Sequence, residues 1–199
     1  MIETILDMAE TDRYVNVTSR EIHHSIKGTV GDSDLSGLLT DLREGQPTDV
    51  IYLHINTLGG SLDTCLEVIH GIETTQATVI GVAEGAVVSA GSIIFFACHG
   101  FIVNPLAYFM IHDGSTGAIG KINENLKSAQ FDDKHTKMLY KKVYGGFFTK
   151  KEIKKVLAGE DMYLLADEVT ERIRKVLEEN NNSDKDSSGE GQITDGAGI

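Results

Sequence analysis

Residues 50–72 read VIYLHINTLGGSLDTCLEVIHGI, and the order of patterns within them sets the fold class. Val50–Ile55 is a compact apolar strand. Asn56-Thr57-Leu58-Gly59-Gly60-Ser61 closes it as a turn around a glycine pair. Leu62, Leu66, Ile69 and Ile72 then recur at helical spacing. The same succession follows at once. Ala77–Val82 is a second buried strand, Gly85-Ala86-Val87-Val88-Ser89-Ala90-Gly91-Ser92 a small-residue turn, and Ala90–Cys98 an apolar helix. Strands alternating with helices need crossover connections, which build a mainly parallel sheet. The expected class is α/β.

Outward from this stretch the alternation continues. Upstream, Tyr14–Val17 and Ile22–Ile26 are short strand segments that end at Gly28 and Gly31, and Asp32-Ser33-Asp34 offers helix caps before Leu35, Leu38, Leu39 and Leu42. Downstream, Phe101–Val103 and Tyr108–Ile111 are strands around Pro105. Lys121–Tyr144 is a long charged amphipathic helix, followed by a shorter one at Lys150–Leu157. From Glu178 the text turns polar and rich in Gly, Ser and Asn, with six acids against one Lys. Such a stretch buries too little apolar surface to offset its ordering entropy, so 178–199 is expected to be an acidic disordered tail. One domain over 20–177 remains, behind an N-terminal segment 1–19.

Composition narrows the function classes. The chain has 199 residues, 41% hydrophobic, and a formal charge of −12. A nucleic-acid binder normally needs a basic face, and docking on an anionic membrane needs the same sign. No apolar run approaches the ~20 residues of a membrane span. The opening Met1-Ile2-Glu3-Thr4-Ile5-Leu6-Asp7 has neither the basic nor the apolar part of a secretory signal. Cys65 and Cys98 form no CxxC and have no His pair, which speaks against a disulfide scaffold or a zinc site. The expectation is an acidic, soluble, cytoplasmic domain.

The chemistry-bearing candidates are the two turns and two later residues. A turn at the carboxyl end of a parallel strand is where such sheets place ligands, and the N–H groups opening a helix suit a developing anion. Gly59 and Gly60 admit a close backbone approach, since no Cβ stands in the way. Taken singly, each is more often an ordinary strand-to-helix turn. His112 ends the apolar strand Met110-Ile111 and is placed to act as a general base, although a lone His at a strand end is usually a surface residue. The other six His have no comparable setting, and His99 beside Gly100 reads as a helix-end residue. Asp161 precedes the apolar Met162-Tyr163-Leu164-Leu165-Ala166, where a carboxylate is able to orient an imidazole.

In chain order these pieces run Gly-Gly, Ser, His, Asp, and together they resemble the proteolytic subunit of the Clp protease family. Asn56-Thr57-Leu58-Gly59-Gly60 is similar to its Asn-Ser-Pro-Gly-Gly turn, with Leu58 where the family has Pro. Gly85–Ala90 is similar to its nucleophile turn, with Ala90 where a Met is common. Met110-Ile111-His112 is similar to its Met-Ile-His strand, and Asp161–Glu168 to its acid-aromatic-apolar segment. The resemblance covers about residues 20–175, and the four motifs fall in order with 23 residues from Ser89 to His112 and 49 from His112 to Asp161.

The resemblance implies a spiral of βαβ units of the Clp and crotonase type, with a long protruding handle helix. It implies a serine endopeptidase in which Ser89 is the nucleophile, His112 the base and Asp161 the residue orienting it. The N–H groups of Gly60 and Ala90 would form the oxyanion hole, and no metal or organic cofactor would be needed. Leu58, Gly59 and Gly114 would bind substrate, the last in a Gly114–Gly120 segment that pairs with substrate backbone. It further implies a homo-oligomer, a heptameric ring or a stacked double ring meeting through Lys121–Tyr144. A partner ATPase, an AAA+ unfoldase, would feed it unfolded protein, docking near the axial-loop-like residues 1–19. A bacterial and a phage source both fit. Ser92 is the competing serine, placed one helical turn deeper, and Ser61 is the outsider. The rivals are a degenerate scaffold subunit of such a ring and a crotonase-type enzyme acting on acyl-CoA. A signal-peptide peptidase relative would need a Ser-Lys pair, and no Lys sits at a matching turn.

Overall fold

The computed structural model describes residues 19–31, 34–114 and 119–187. The elements are β1 (Glu21–Val30), α1 (Ser36–Glu44), β2 (Val50–Gly60), α2 (Leu62–Thr74), β3 (Thr78–Val88) and α3 (Ala90–Phe96). They continue with β4 (Gly100–Val103), β5 (Tyr108–Ile111), α4 (Ile122–Tyr144), α5 (Lys150–Val156), β6 (Met162–Leu165) and α6 (Ala166–Ser187). The six strands form one sheet in the order β1-β2-β3-β5-β6, with β4 also on β3. All pairings are parallel except β5 with β6. The expected α/β class with a mainly parallel sheet is what the chain adopts. No helix among the described residues is long and apolar enough to cross a membrane.

Helices cover one face of the sheet. Along β2, Ile51, Leu53 and Ile55 alternate inward and are fully buried, while Tyr52 and His54 stay half-buried on the other face. Leu38 and Leu42 of α1 pack into that core with Cys65, Val68, Ile69 and Ile72 of α2. The α2 stripe is therefore rotated from the expected one: Leu62 and Leu66 lie at its rim, and Cys65 and Val68 take the centre. Beneath α3, the rings of Phe95, Phe96, Phe101, Phe109 and Phe147 interlock at centroid distances of 4.9–6.4 Å. Such pairs each add about 0.5–1.5 kcal/mol beyond their burial.

Both central strands run longer than their apolar cores predict. β2 continues through Gly60 and β3 through Val88, so most of the first expected turn and half of the second are strand. The added residues still find ladder partners: Gly59 and Gly60 pair with Thr29 and Val30, and Val87 and Val88 with Phe109 and Met110. Between Ile55 and Thr57 the β2–β3 register slips, placing Glu84, Gly85 and Ala86 opposite Asn56 alone. Asn56 Oδ1 fills the gap by accepting from Ala86 N at 3.0 Å. Here β3 also changes partner, from β4 at residues 80–83 to β5 at 86–88. The bulge bends β3 and lets β5 take over the edge that β4 leaves.

Three smaller expectations change. The N-cap of α1 is Leu35, with Asp34 accepting from Ser36 N at 2.9 Å, while Asp32, Ser33 and the strand segment Tyr14–Val17 lie outside the described residues. His99 is no helix cap: it clasps the start of β3, its Nδ1 accepting from Val79 N at 3.0 Å and its N donating to Val79 O at 2.9 Å. Where the acidic tail was expected from 178, α6 runs on to Ser187. Its acids and Asn are compatible with helix when an amphipathic start has already nucleated the turn. Residues 188–199 lie outside the described residues.

Candidate active site

Ser89 is the single residue between β3 and α3, with φ 56° and ψ −123°. Among the described residues it is the only non-glycine at positive φ. Such a backbone costs about 1–3 kcal/mol and persists only where its surroundings hold it. Three contacts do so: Ser89 N donates to Met110 O at 2.9 Å, and Ser89 O accepts from Ser92 N at 2.9 Å and Ile93 N at 3.2 Å. The bend turns the Ser89 hydroxyl away from the sheet toward the end of β5. His112 stands just past that end, and its Nε2 meets Ser89 Oγ at 2.8 Å. The two residues, 23 apart in sequence, meet because β3 and β5 are paired up to Val88↔Met110.

The glycine pair lies on the other side of Ser89. A Cβ on Gly59 would stand 2.6 Å from Ser89 Cβ, and one on Gly60 would fall 2.2 Å from Val30 O, so both positions require glycine. Ser61 N donates to Val30 O at 2.6 Å, which commits that edge of β2 to β1. Successive N–H groups of a strand point to opposite edges, so the Gly60 N–H faces the side where β3 has ended. Thr57 fixes the approach: its buried hydroxyl donates to Gly28 O and accepts from Gly59 N at 3.0 Å. Ala90 N is the first N–H of α3, and Gly60 and Ala90 line one cleft with Ser89 and His112.

A cleft of about 340 Å³ opens beside Ser89 and His112, walled by Gly60, Leu62, Ile93, Leu139 and Tyr140, with Gly114 at its rim. Leu58 and Gly59 line a shallower depression on the opposite side of Gly60, with Thr29 and Ala86. Of the Gly114–Gly120 segment, residues 115–118 lie outside the described residues. Ser92 is fully buried within α3 and Ser61 caps α2 by accepting from Thr64 N, so neither competes with Ser89.

Asp161 is placed differently from His112. The β5–β6 ladder ends at Ile111 with Met162, and His112 and Asp161 each lie one residue past that pair. Asp161 is exposed, and its carboxylate accepts no hydrogen bond from the imidazole among the described residues.

Two tyrosines of α4 were not singled out by the sequence. Tyr140 OH donates to His112 O, holding the backbone of the histidine, and Tyr144 OH reaches Ser92 Oγ at 2.8 Å. Their signal was present only as a helical stripe, Thr136, Leu139, Tyr140, Val143 and Tyr144, which reads as core. Burial pushes both phenols above their ordinary range, so they stay protonated donors. Away from the site, His23 Nδ1 lies 2.9 Å from His54 Nε2, and His54 Nδ1 lies 2.9 Å from Glu84. Among the described residues no three His, Cys, Asp or Glu side chains converge as a metal would need.

The arrangement pairs a hydroxyl in a strained elbow with an imidazole and two backbone donors, the parts of nucleophilic acyl transfer. A family model described as Clp protease matches residues 8–176. No curated protein matches the chain.

Proposed function

The chain belongs to the Clp protease family, and from that premise we propose that it is a serine endopeptidase whose nucleophile is Ser89. The observation that carries the reading is the 2.8 Å contact of His112 Nε2 with Ser89 Oγ at a positive-φ elbow. In the proposed reaction Ser89 Oγ attacks the scissile carbonyl while His112 takes its proton. The tetrahedral oxyanion is held by Gly60 N–H and Ala90 N–H. His112 then gives the proton to the departing amine, leaving an acyl-Ser89 ester, and activates a water that releases it. Each oxyanion donor is worth about 3–4 kcal/mol to the barrier.

Asp161 is proposed as the residue that orients His112 and stabilises its protonated form. His112 and Asp161 each lie one residue past the last pair of the β5–β6 ladder, Ile111 with Met162, and this supports the role. The apolar walls of the cleft, Leu62, Ile93 and Leu139, suit an uncharged side chain next to the scissile bond. Substrates are peptides or unfolded proteins, since a folded chain does not lay an extended backbone along Gly59 and Gly60. Exposed Ile122, Leu126, Phe131 and Met138 on α4 support assembly into a ring or stacked rings, and a partner ATPase would supply unfolded chains.

One observation favours a second reading, a ring subunit without catalysis: the Asp161 carboxylate is not bonded to the imidazole. A fluorophosphonate probe separates the two. The expected result is one covalent adduct by intact mass, absent in Ser89→Ala and in His112→Ala. A folded, assembled protein that takes no adduct would leave the scaffold reading.

A further inference from the structure

Behind the Ser89 elbow lies a chain of buried hydroxyls. Ser92 Oγ donates to Ser89 O at 2.7 Å, and Tyr144 OH lies 2.8 Å from Ser92 Oγ. A serine hydroxyl has one proton. As Ser92 gives its proton to Ser89 O, the second contact must be Tyr144 donating. Ser92 is 0% exposed and Tyr144 1%. The phenol ring is fixed by Phe96, Phe148 and Tyr140, with centroids 5.7, 5.6 and 5.0 Å away, so its hydroxyl has one place to be. Two hydroxyls committed to each other inside the apolar α3–α4 contact, where Ala and Phe would pack as well, call for a role.

The role follows from the peptide they hold. The C=O of Ser89 and the N–H of Ala90 belong to one planar trans unit and point in opposite directions. The carbonyl points down α3 to donors on Ser92 and Ile93, so whatever fixes it aims the Ala90 N–H back out of the helix start, where Ser89 and Ala90 line the cleft. The helix itself supplies two backbone donors to that carbonyl, Ser92 N and Ile93 N. Ser92 Oγ is a third, and its dipole is aligned with that of the Tyr144 hydroxyl behind it. Aligned bonds polarise one another, drawing electrons from the peptide and sharpening Ala90 N–H as a donor.

We propose that Ser92 and Tyr144 are positioning residues of the oxyanion hole, acting through the Ser89 carbonyl to aim and strengthen the Ala90 N–H. The inference rests on the serine-peptidase reading above. It divides α4 into two tasks one helical turn apart: Tyr144 braces the peptide of the nucleophile, while Tyr140 holds the backbone carbonyl of the base. Since the oxyanion exists only in the transition state, the contribution belongs to kcat and leaves KM alone.

The test uses the full chain with a fluorogenic peptide, rates being normalised to sites titrated by a fluorophosphonate. Ser92→Ala is expected to lower kcat per titrated site by about tenfold, and Tyr144→Phe by about threefold, with KM within twofold of wild type. The double variant is expected to be no slower than Ser92→Ala, because Tyr144 works only through Ser92. The pH midpoint of kcat/KM is expected to stay in place, as His112 is untouched. Tyr144→Phe keeps the ring and its packing, so it reports even if Ser92→Ala folds poorly. Wild-type kcat in both single variants, a loss carried by KM, or losses that multiply in the double variant would overturn the inference while leaving the peptidase intact. A wild-type protein that takes no probe, or a Ser89→Ala variant that still does, would instead sink the peptidase reading and this inference with it.

Discussion

Gly59 and Ser89 are so close that a methyl group on the glycine would sit 2.6 Å from Ser89 Cβ and 3.1 Å from its Oγ. Gly59 also holds φ +103°, a conformation side chains rarely adopt. Both effects bear on the nucleophile. Gly59→Ala is expected to abolish probe labelling at Ser89 and to cost about 1–3 kcal/mol of stability through backbone strain. Gly146→Ala, where a Cβ meets nothing within 4 Å, is expected to retain labelling and the unfolding midpoint. Labelling rate and a urea melt measured on the two variants check both statements.

How much of this was legible beforehand depended on the kind of signal. The β-α-β-α order came from period-2 and period-3.6 patterns that burial enforces, and it was readable over residues 50–98. The lengths of β2 and β3 were not, because Thr57-Leu58-Gly59-Gly60 and Gly85-Ala86 carry turn-forming residue types and become strand only through partners at Thr29, Val30 and Tyr108. Ser89 and His112 were legible as types at a strand end, but their meeting depends on β5 replacing β4 beside β3, which no local pattern encodes. Tyr140 and Tyr144 were read as core, and they are core. Only their hydroxyl partners, set by how α4 lies across α3, reveal a second use. The helix α6 was not read at all, because the composition after Glu178 reports how little a segment can bury, and helix propagation past that point needs no burial.

Asp161, like His112, lies one residue past the last pair of the β5–β6 ladder. If it orients the imidazole during turnover, removing its charge while keeping its shape is costly. Asp161→Asn is expected to slow peptide hydrolysis by about 100-fold or more, with substrate affinity unchanged. Steady-state kinetics on the purified protein measure this. An unchanged kcat would reduce the machinery to Ser89 and His112 alone.

The two thiols are buried on the helical side of the sheet. Burial pushes the Cys65 thiol up to about 12 and raises that of Cys98 as well. The reactive form is the thiolate, so neither is a nucleophile in the folded chain. Iodoacetamide at pH 8 is expected to leave the native protein unmodified and to add two carbamidomethyl groups once guanidinium unfolds it, as mass spectrometry reads directly. Rapid alkylation of the native chain would show that α2 or α3 opens locally.

Two carboxylates that tie separate segments together contribute to acid stability. Asp49 is buried at the start of β2, where Arg20 Nη2 and Nε donate to Oδ2 at 2.5 and 3.1 Å and Gln46 N donates at 2.9 Å. Arg20 first, and then the Gln46 N–H, hold its carboxyl down to about 2. Glu152 is held at about 2 chiefly by Arg172, which ties α5 to α6, with help from Thr149. An unfolded chain returns these groups to ~3.9 and ~4.3. Between those values and 2 the unfolded state binds more protons than the folded one, so stability falls as pH falls. Above about pH 4.5 the contribution is complete, and below about pH 2 it is gone. Urea midpoints at pH 7, 4 and 2.5 are expected to decline across that window for the wild type. In Asp49→Asn the decline is expected to be smaller and the midpoint lower at pH 7, so that the two curves converge in acid. Parallel curves would mean that Asp49 is no better stabilised as an anion in the fold than in the unfolded chain.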